Sequence, residues 1–192
     1  MRTIAVINQK GGCGKTTTAI NLAAALAELG RRVLLVDTDP QCHCALGVAV
    51  PEHKIDLQIG DAMLAPDPGA MDHRRLLWQV NSRLDLAPSS VALAGVERQL
   101  ADAPDRDRRL TRALAPLAER YDFCLIDCPP AIGLLTFNAL RAAGEVMIPV
   151  ETSYFALKGA GKQVATIRVM GQRCGHLPKL HVLPTLYDVR VR

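Results

Sequence analysis

Three observations predict an α/β chain, a three-layer sandwich in which helices flank a mostly parallel sheet. Short β-branched apolar runs recur along the 192 residues, most of them are separated by stretches with helical period, and a glycine-rich turn joins the first run to the first helix. Continuous apolar runs are the pattern of strands buried on both faces, and strands alternating with helices imply parallel pairing through right-handed crossovers. A chain of this length with 49% hydrophobic residues suits one domain with a sizeable core, and 1–192 is read as that single domain.

Taken in order, the strand candidates are Thr3 to Asn8, Val33 to Asp37, Leu84 to Pro88, Asp122 to Asp127, Glu145 to Val150 and Leu180 to Pro184. The first helix is expected over Thr16 to Leu29, with Ile20, Ala23, Ala24 and Ala27 near one face and Gly30 as its stop. Further helices are expected over Val91 to Leu100, Arg108 to Glu119, Leu134 to Ala143 and Lys158 to Gln172. Pro51 to Gln79 is interrupted by Pro51, Pro66, Pro68 and Gly69 and reads as a short helix with connecting loops. No internal repeat or low-complexity tract is present.

The most informative segment is Asn8-Gln9-Lys10-Gly11-Gly12-Cys13-Gly14-Lys15-Thr16-Thr17, between a strand and an alanine-rich helix. Gly11, Gly12 and Gly14 let successive backbone N–H groups turn inward around an anion. Lys15 then supplies a point charge to the β- and γ-phosphates, and Thr16 offers a hydroxyl to magnesium. The fold is thus a P-loop NTPase type, with the ligand at the carboxyl ends of the strands. Gln9 stands where the general motif has glycine, and Lys10 is an additional cation.

Carboxylates follow two strands, in Asp37-Thr38-Asp39-Pro40-Gln41 and in Ile126-Asp127-Cys128-Pro129-Pro130. Magnesium on phosphates keeps several waters and needs acidic acceptors, and attack on the γ-phosphate needs a polar group to orient water. Asp127 suits the first task, and Asp39, two positions after Asp37, the second. Thr16, Asp39 and Asp127 make up the expected magnesium set. Aspartates of this kind also cap turns, and the residues alone leave that reading open. Pro129-Pro130 followed by Gly133 reads equally as a segment that senses the γ-phosphate or as a rigid strand-to-helix connection.

The formal charge of +4 fits contact with a polyanion without requiring it, because Arg98 to Arg120 is interleaved with Glu97, Asp102, Asp105, Asp107 and Glu119. A partial basic patch consists of Arg168, Arg173, Lys179, Arg190 and Arg192. The six cysteines read as reduced thiols, since Cys124 and Cys128 lie in or beside a strand and Cys13 in the phosphate loop. Cys42-His43-Cys44 lacks the separation of common structural zinc sites. His53, His73, His176 and His181 show no ligand or nucleophile spacing. No apolar run approaches the roughly eighteen residues of a membrane span, and no signal peptide is apparent, so a cytoplasmic location is expected.

Lys10 to Thr17, Asp37 to Gln41, Leu125 to Pro130 and Tyr154-Phe155-Ala156-Leu157-Lys158-Gly159 together resemble the ParA branch of the deviant Walker-A ATPases, partition proteins related to the division-site ATPase MinD. The resemblance runs from Arg2 to about Asp188. It implies an ATP- and Mg2+-dependent ATPase that dimerises on ATP, with Lys10 of one subunit reaching the phosphates held by the other. It also implies nonspecific DNA and a centromere-binding ParB-like adaptor as partners, a nucleoid-associated location, and no membrane partner. By resemblance Gly11 to Thr17 bind nucleotide, Lys15 and Thr16 hold phosphate and magnesium, Asp39 positions the hydrolytic water and Asp127 is the Walker-B acid. Thr185 and Leu186 resemble residues beside the adenine. Cys13 stands where the family often has valine.

The resemblance implies a family fold that continues for some tens of residues past Asp188. Ending at Arg192, the chain is expected to lack that part, to expose apolar sheet surface and to be weakly stable. Two other functions share the fold and loop: a MinD-like membrane-cycling ATPase, which needs an amphipathic C-terminal helix, and an ATP-dependent small-molecule synthase, which phosphorylates a carboxylate substrate. An iron–sulfur carrier would need a late Cys-x-x-Cys, and none occurs.

Overall fold

The computed structural model describes residues 1–187, apart from the side chains at 52 and 154–157. In chain order the strands are β1 (Arg2–Val6), β2 (Val33–Asp37), β3 (Trp78–Asn81), β4 (Leu84–Ala87), β5 (Phe123–Asp127), β6 (Glu145–Glu151) and β7 (Lys179–Thr185). The α-helices are α1 (Lys15–Glu28), α2 (His43–Gly47), α3 (Ile59–Leu64), α4 (His73–Leu76), α5 (Val96–Gln99), α6 (Arg109–Leu114), α7 (Leu134–Ala142) and α8 (Tyr154–Arg173). The strands form one sheet in the order β3-β4-β2-β5-β1-β6-β7, parallel throughout except for the β3–β4 pair.

Period-two alternation divides the core between the two faces. Ile4, Val6, Val33, Leu35 and Leu125 pack against Ala19, Ala23 and Ala27 of α1. Ala5, Leu34, Val36, Cys124 and Ile126 face the opposite layer, where Leu110 of α6, Leu140 of α7 and Ile167 of α8 cover them. The α/β sandwich with a mostly parallel sheet is therefore as the sequence predicts. On α1 the buried stripe is Lys15, Ala19, Ala23 and Ala27, each four residues from the last, with Ile20 and Ala24 only half-buried. Small side chains at that spacing let the helix lie close to the sheet. The helix stops at Gly30, whose φ of 82° is the left-handed cap, with Arg31 N donating back to Leu26 O at 3.0 Å.

Several elements differ from the expectation. β3 begins at the end of the segment read as helix and loops and runs past it; four residues, half-exposed and irregular between Gln79 and Asn81, give little periodicity to read. The helix expected over Val91 to Leu100 is a 3₁₀ turn at Val91–Gly95 leading into the short α5. The one expected over Arg108 to Glu119 ends at Leu114, because Pro116 in the Ala115–Leu117 turn cannot donate to a helical carbonyl. α8 begins four residues before the expected Lys158.

Pro149 sits inside β6 without breaking the sheet. β1 pairs with β6 only as far as Val6↔Met147, and beyond that point the side-chain amide of Asn8 donates to Pro149 O. The β1 backbone is thereby free to turn away from the sheet and form the loop. β7 is the far edge strand, and Val182 on it is 53% exposed.

Candidate nucleotide site

The loop after β1 takes its shape from two glycines in the left-handed region, Gly12 at φ 74° and Gly14 at φ 89°, a conformation that costs other residues about 1 kcal/mol or more. Gly14 is the N-cap of α1, so the positive end of that helix opens toward the loop. Lys15 follows at once, is almost fully buried, and donates from Nζ to Lys10 O at 3.1 Å across the loop. Gly11, Gly12 and Thr17 are exposed along the rim, while Gly14 and Thr16 are half-buried. Cys13 is buried beneath: its thiol donates to Lys10 O, and Thr185 Oγ1 donates to Cys13 O at 2.8 Å. Burial pushes the Cys13 thiol pKa up, with Lys15 opposing.

The expected carboxylates come together through strand register. Asp37 ends β2, Asp127 ends β5, and the two are direct partners in the ladder, with Val6 of β1 on Asp127's other side. Both are fully buried. Asp37 accepts from Asp39 N at 2.9 Å and from Cys44 N at 3.1 Å; Thr38 Oγ1 donates to Asp127 O at 2.7 Å. Burial pushes Asp127 up to about 7, against the Thr16 hydroxyl that lowers it, with the charge of Asp37 adding to the rise. Burial likewise pushes Asp37 up to about 6, against the Asp39 and Cys44 amides. Among the described residues Asp127 Oδ1 is buried with no hydrogen-bond partner. An orphaned carboxylate oxygen under a phosphate loop fits the acceptor that magnesium-bound water requires. Asp37, absent from the sequence-derived site, emerges here because β2 and β5 are neighbours, which strand composition does not reveal.

Asp39 lies beyond the end of β2, where strand alternation no longer sets its direction. Its Oδ1 accepts from Gln41 N at 3.0 Å, and its carbonyl accepts from Ser89 Oγ at 2.7 Å, which ties the turn to the end of β4. The carboxylate is nearly buried at the carboxyl end of the sheet. Lys10 faces outward instead: its side chain is 47% exposed, and its ammonium pairs with Glu151 at the end of β6. Asn8 holds the Lys10 backbone, accepting its N–H at 2.7 Å, and also accepts from Gln163 of α8.

After β5, Pro129 is buried and Pro130 exposed, and Gly133 is the extended N-cap of α7. Glu97 of α5 accepts from Leu135 N at 3.2 Å, close enough that a Cβ on Gly133 would collide with its Oε1. Neither this contact nor the hold of the Asn8 side chain on Lys10 N and Pro149 O follows from the sequence pattern.

Thr185 touches the loop, whereas Leu186 is 66% exposed at φ 53° and takes a bond from Thr152 Oγ1. Both border an open groove of about 600 Å³ between α1 and β6–β7, with Leu22, Met147 and Leu183 on its apolar wall. Arg173 and Lys179 lie at the sheet end away from the loop, and Arg190 and Arg192 are outside the described residues. His176 bonds Ala143 O and His181 pairs with Glu145, both packing roles. All six cysteines are buried, and none among the described residues is in a disulfide. No helix among the described residues is long and apolar enough to cross a membrane.

Residues 1–180 match the family model described as an AAA domain. The sporulation initiation inhibitor protein Soj of Bacillus subtilis is 42% identical over 97% of this chain and 73% of its own length. The chromosome partitioning protein ParA of Myxococcus xanthus is 44% identical over 98% of this chain and 66% of its own. A structure of cobyrinic acid a,c-diamide synthase from Mycobacterium smegmatis with bound ATP analog and magnesium is 39% identical with a TM-score of 0.90, covering 100% of this chain and 77% of that one. Against an uncharacterized Mycobacterium tuberculosis protein, 43% identical, the chain spans 59% of the relative's length. On the loop, the strand-end carboxylates and these relatives together, the chain belongs to the AAA-domain family and, within it, to the ParA family of deviant Walker-A proteins.

Proposed function

We propose that the chain carries the ATP-hydrolysing site of a partition or positioning protein, in which an ATP-bound dimer holds nonspecific DNA until slow, adaptor-stimulated hydrolysis releases it. The observation that carries this reading is the division of labour between two lysines on one loop: Lys15 turns inward and is buried, while Lys10 stands half-exposed on the rim. An inward lysine serves the chain's own nucleotide. An outward one would be available to a neighbour's, once Glu151 releases it.

Magnesium, when held there, would supply positive charge that offsets the charge developing on the phosphates. Thr16 would hold the ion, with Asp127 and Asp37 orienting its waters. Gly11 to Thr17 would cradle the phosphates through backbone N–H groups, and Asp39 would align the attacking water. Thr185, against the loop, and Leu186, on the open groove, would flank the base.

The test is ATP turnover measured alone, with plasmid DNA, and with DNA plus a candidate centromere-binding adaptor. Turnover raised by DNA and adaptor together supports the proposal; turnover indifferent to both sinks it. Lys10→Ala is expected to abolish ATP-dependent dimerisation while retaining monomer binding, and Asp39→Ala to trap the ATP dimer. The likeness to a structure described as a diamide synthase favours a second reading, ATP-dependent amide formation on a small carboxylate. ADP release that requires such a carboxylate and ammonia, and ignores DNA, would select it.

A further inference from the structure

We propose that the cavity at the β3–β4 edge of the sheet, walled by Trp78, Lys54 and Arg74, binds one nucleotide unit, its base against the indole and its phosphate charge beside the two cations. The site is remote from the phosphate loop: β4, β2 and β5 separate β3 from β1, and no residue of the loop lines the cavity. About 260 Å³ is open there, room for a single nucleotide and too little for a duplex.

The walls come from β3, from α4 and from the loop before α3. Trp78 opens β3 and is half-buried, packed against the core and also lining the cavity. Ile55, Leu77 and Pro88 continue the apolar surface, and Lys54 and Arg74 stand exposed at the rim. Hydrogen bonds between these elements hold the shape without a ligand. Asp56 accepts from Arg75 Nε at 2.7 Å and from its Nη2 at 3.1 Å, which ties the loop to α4. Ile59 N donates to Pro88 O at 2.8 Å and ties the same loop to the end of β4. Asp72 caps α4 by accepting from Arg74 N at 3.0 Å, so one of the two cations rises from a fixed backbone.

The charge decides the ligand. Arg109 and Arg112 are neutralised by Asp105 and Asp67, and Arg75 by Asp56, whereas the side chains of Lys54 and Arg74 pair with no carboxylate among the described residues. The lining therefore carries two positive charges in excess beside an indole with apolar neighbours. That pairing fits a planar ring with an attached anion, the chemistry of a nucleotide. The terminal phosphate of a free nucleotide, or the two phosphates that flank a nucleotide in a single strand, supplies about two negative charges, where a carboxylate supplies one. Stacking on tryptophan accepts any base, so the site discriminates little between them.

This inference does not rest on the ATPase reading. Trp78 is the single tryptophan of the chain, so its emission reports on this cavity. The experiment titrates thymidine monophosphate, thymidine and a hexathymidylate single strand into the full chain without magnesium. The monophosphate and the hexamer are expected to quench saturably, and thymidine, which lacks the phosphate, to bind at least about tenfold more weakly. A Lys54→Ala, Arg74→Ala double variant is expected to lose at least the same factor for the monophosphate while binding a fluorescent ATP analogue with magnesium as wild type does, because both side chains are exposed and outside the loop. Tighter binding of the hexamer identifies the ligand as single-stranded nucleic acid; equal or weaker binding identifies a free nucleotide. Absence of quenching by both, thymidine as effective as its phosphate, or undiminished affinity in the double variant each overturns the site.

Discussion

Asp127→Asn should make the nucleotide-free protein more stable at pH 8, although it removes a carboxylate central to the site. Burial raises Asp127 from an ordinary 3.8 to about 7, and Asp37, its partner in the ladder, to about 6. An acid whose folded pKa exceeds its unfolded value binds more protons when folded, so its contribution to stability is full below about pH 4 and is lost as pH rises through the folded value. A rise of about three units corresponds to about 4 kcal/mol at 1.36 kcal/mol per unit. Part of that arises from Asp37 and is counted once for the pair, leaving about 3 kcal/mol for the variant to recover at pH 8. The neutral amide keeps the shape, and its oxygen can still accept from Cys44 Sγ. The assay is urea denaturation of wild type and Asp127→Asn without magnesium, at pH 8 and at pH 4.5. The variant should lead by about 3 kcal/mol at pH 8 and by under about 1 kcal/mol at pH 4.5. A lead that does not change with pH, or a variant weaker than wild type at pH 8, would refute the electrostatic account.

Gly171 and Gly161 share α8 but predict opposite outcomes. A Cβ on Gly171 would lie 2.7 Å from Pro178 Cδ and 2.9 Å from His176 O, atoms unable to give way, whereas one on Gly161 meets nothing within 4 Å. Gly171→Ala should lose about 1 to 2 kcal/mol in thermal or chemical denaturation, and Gly161→Ala should gain up to about 1 kcal/mol from helix propensity. Gly133→Ala displaces the Glu97 carboxylate from the start of α7, so it and Glu97→Ala should each cost about 1 kcal/mol and the double variant little more than either; full additivity would deny that they share one contact. Glu151→Gln releases Lys10 from a half-exposed ion pair, so stability should move by less than about 1 kcal/mol while ATP-dependent dimerisation, by light scattering, becomes faster.

The phosphate loop was legible because all its determinants are local: glycines that tolerate left-handed backbone, a lysine and a threonine at the helix start, and an apolar strand before them. The six parallel strands were legible for the same reason, since each is a local apolar run, including β7 at the edge, none of whose residues is buried. The antiparallel strand Trp78–Asn81 was not, being short, half-exposed and defined chiefly by its neighbour. Proline in the Ala115–Leu117 turn and the break at Gly95 shortened helices whose charge pattern looked continuous.

The site divides along the same line. Lys15, Thr16 and the loop glycines follow from consecutive residues, and Asp127 from the strand it ends. That Asp37 stands beside Asp127, that Cys44 reaches both, that Glu151 restrains Lys10 and that Glu97 anchors α7 depend on which strand lies next to which. Strand order is set by the pairing energy of the whole sheet and by crossovers tens of residues long, so no window of sequence contains it. The chain's own residues determined the chemistry available; the sheet's register decided which of those groups meet.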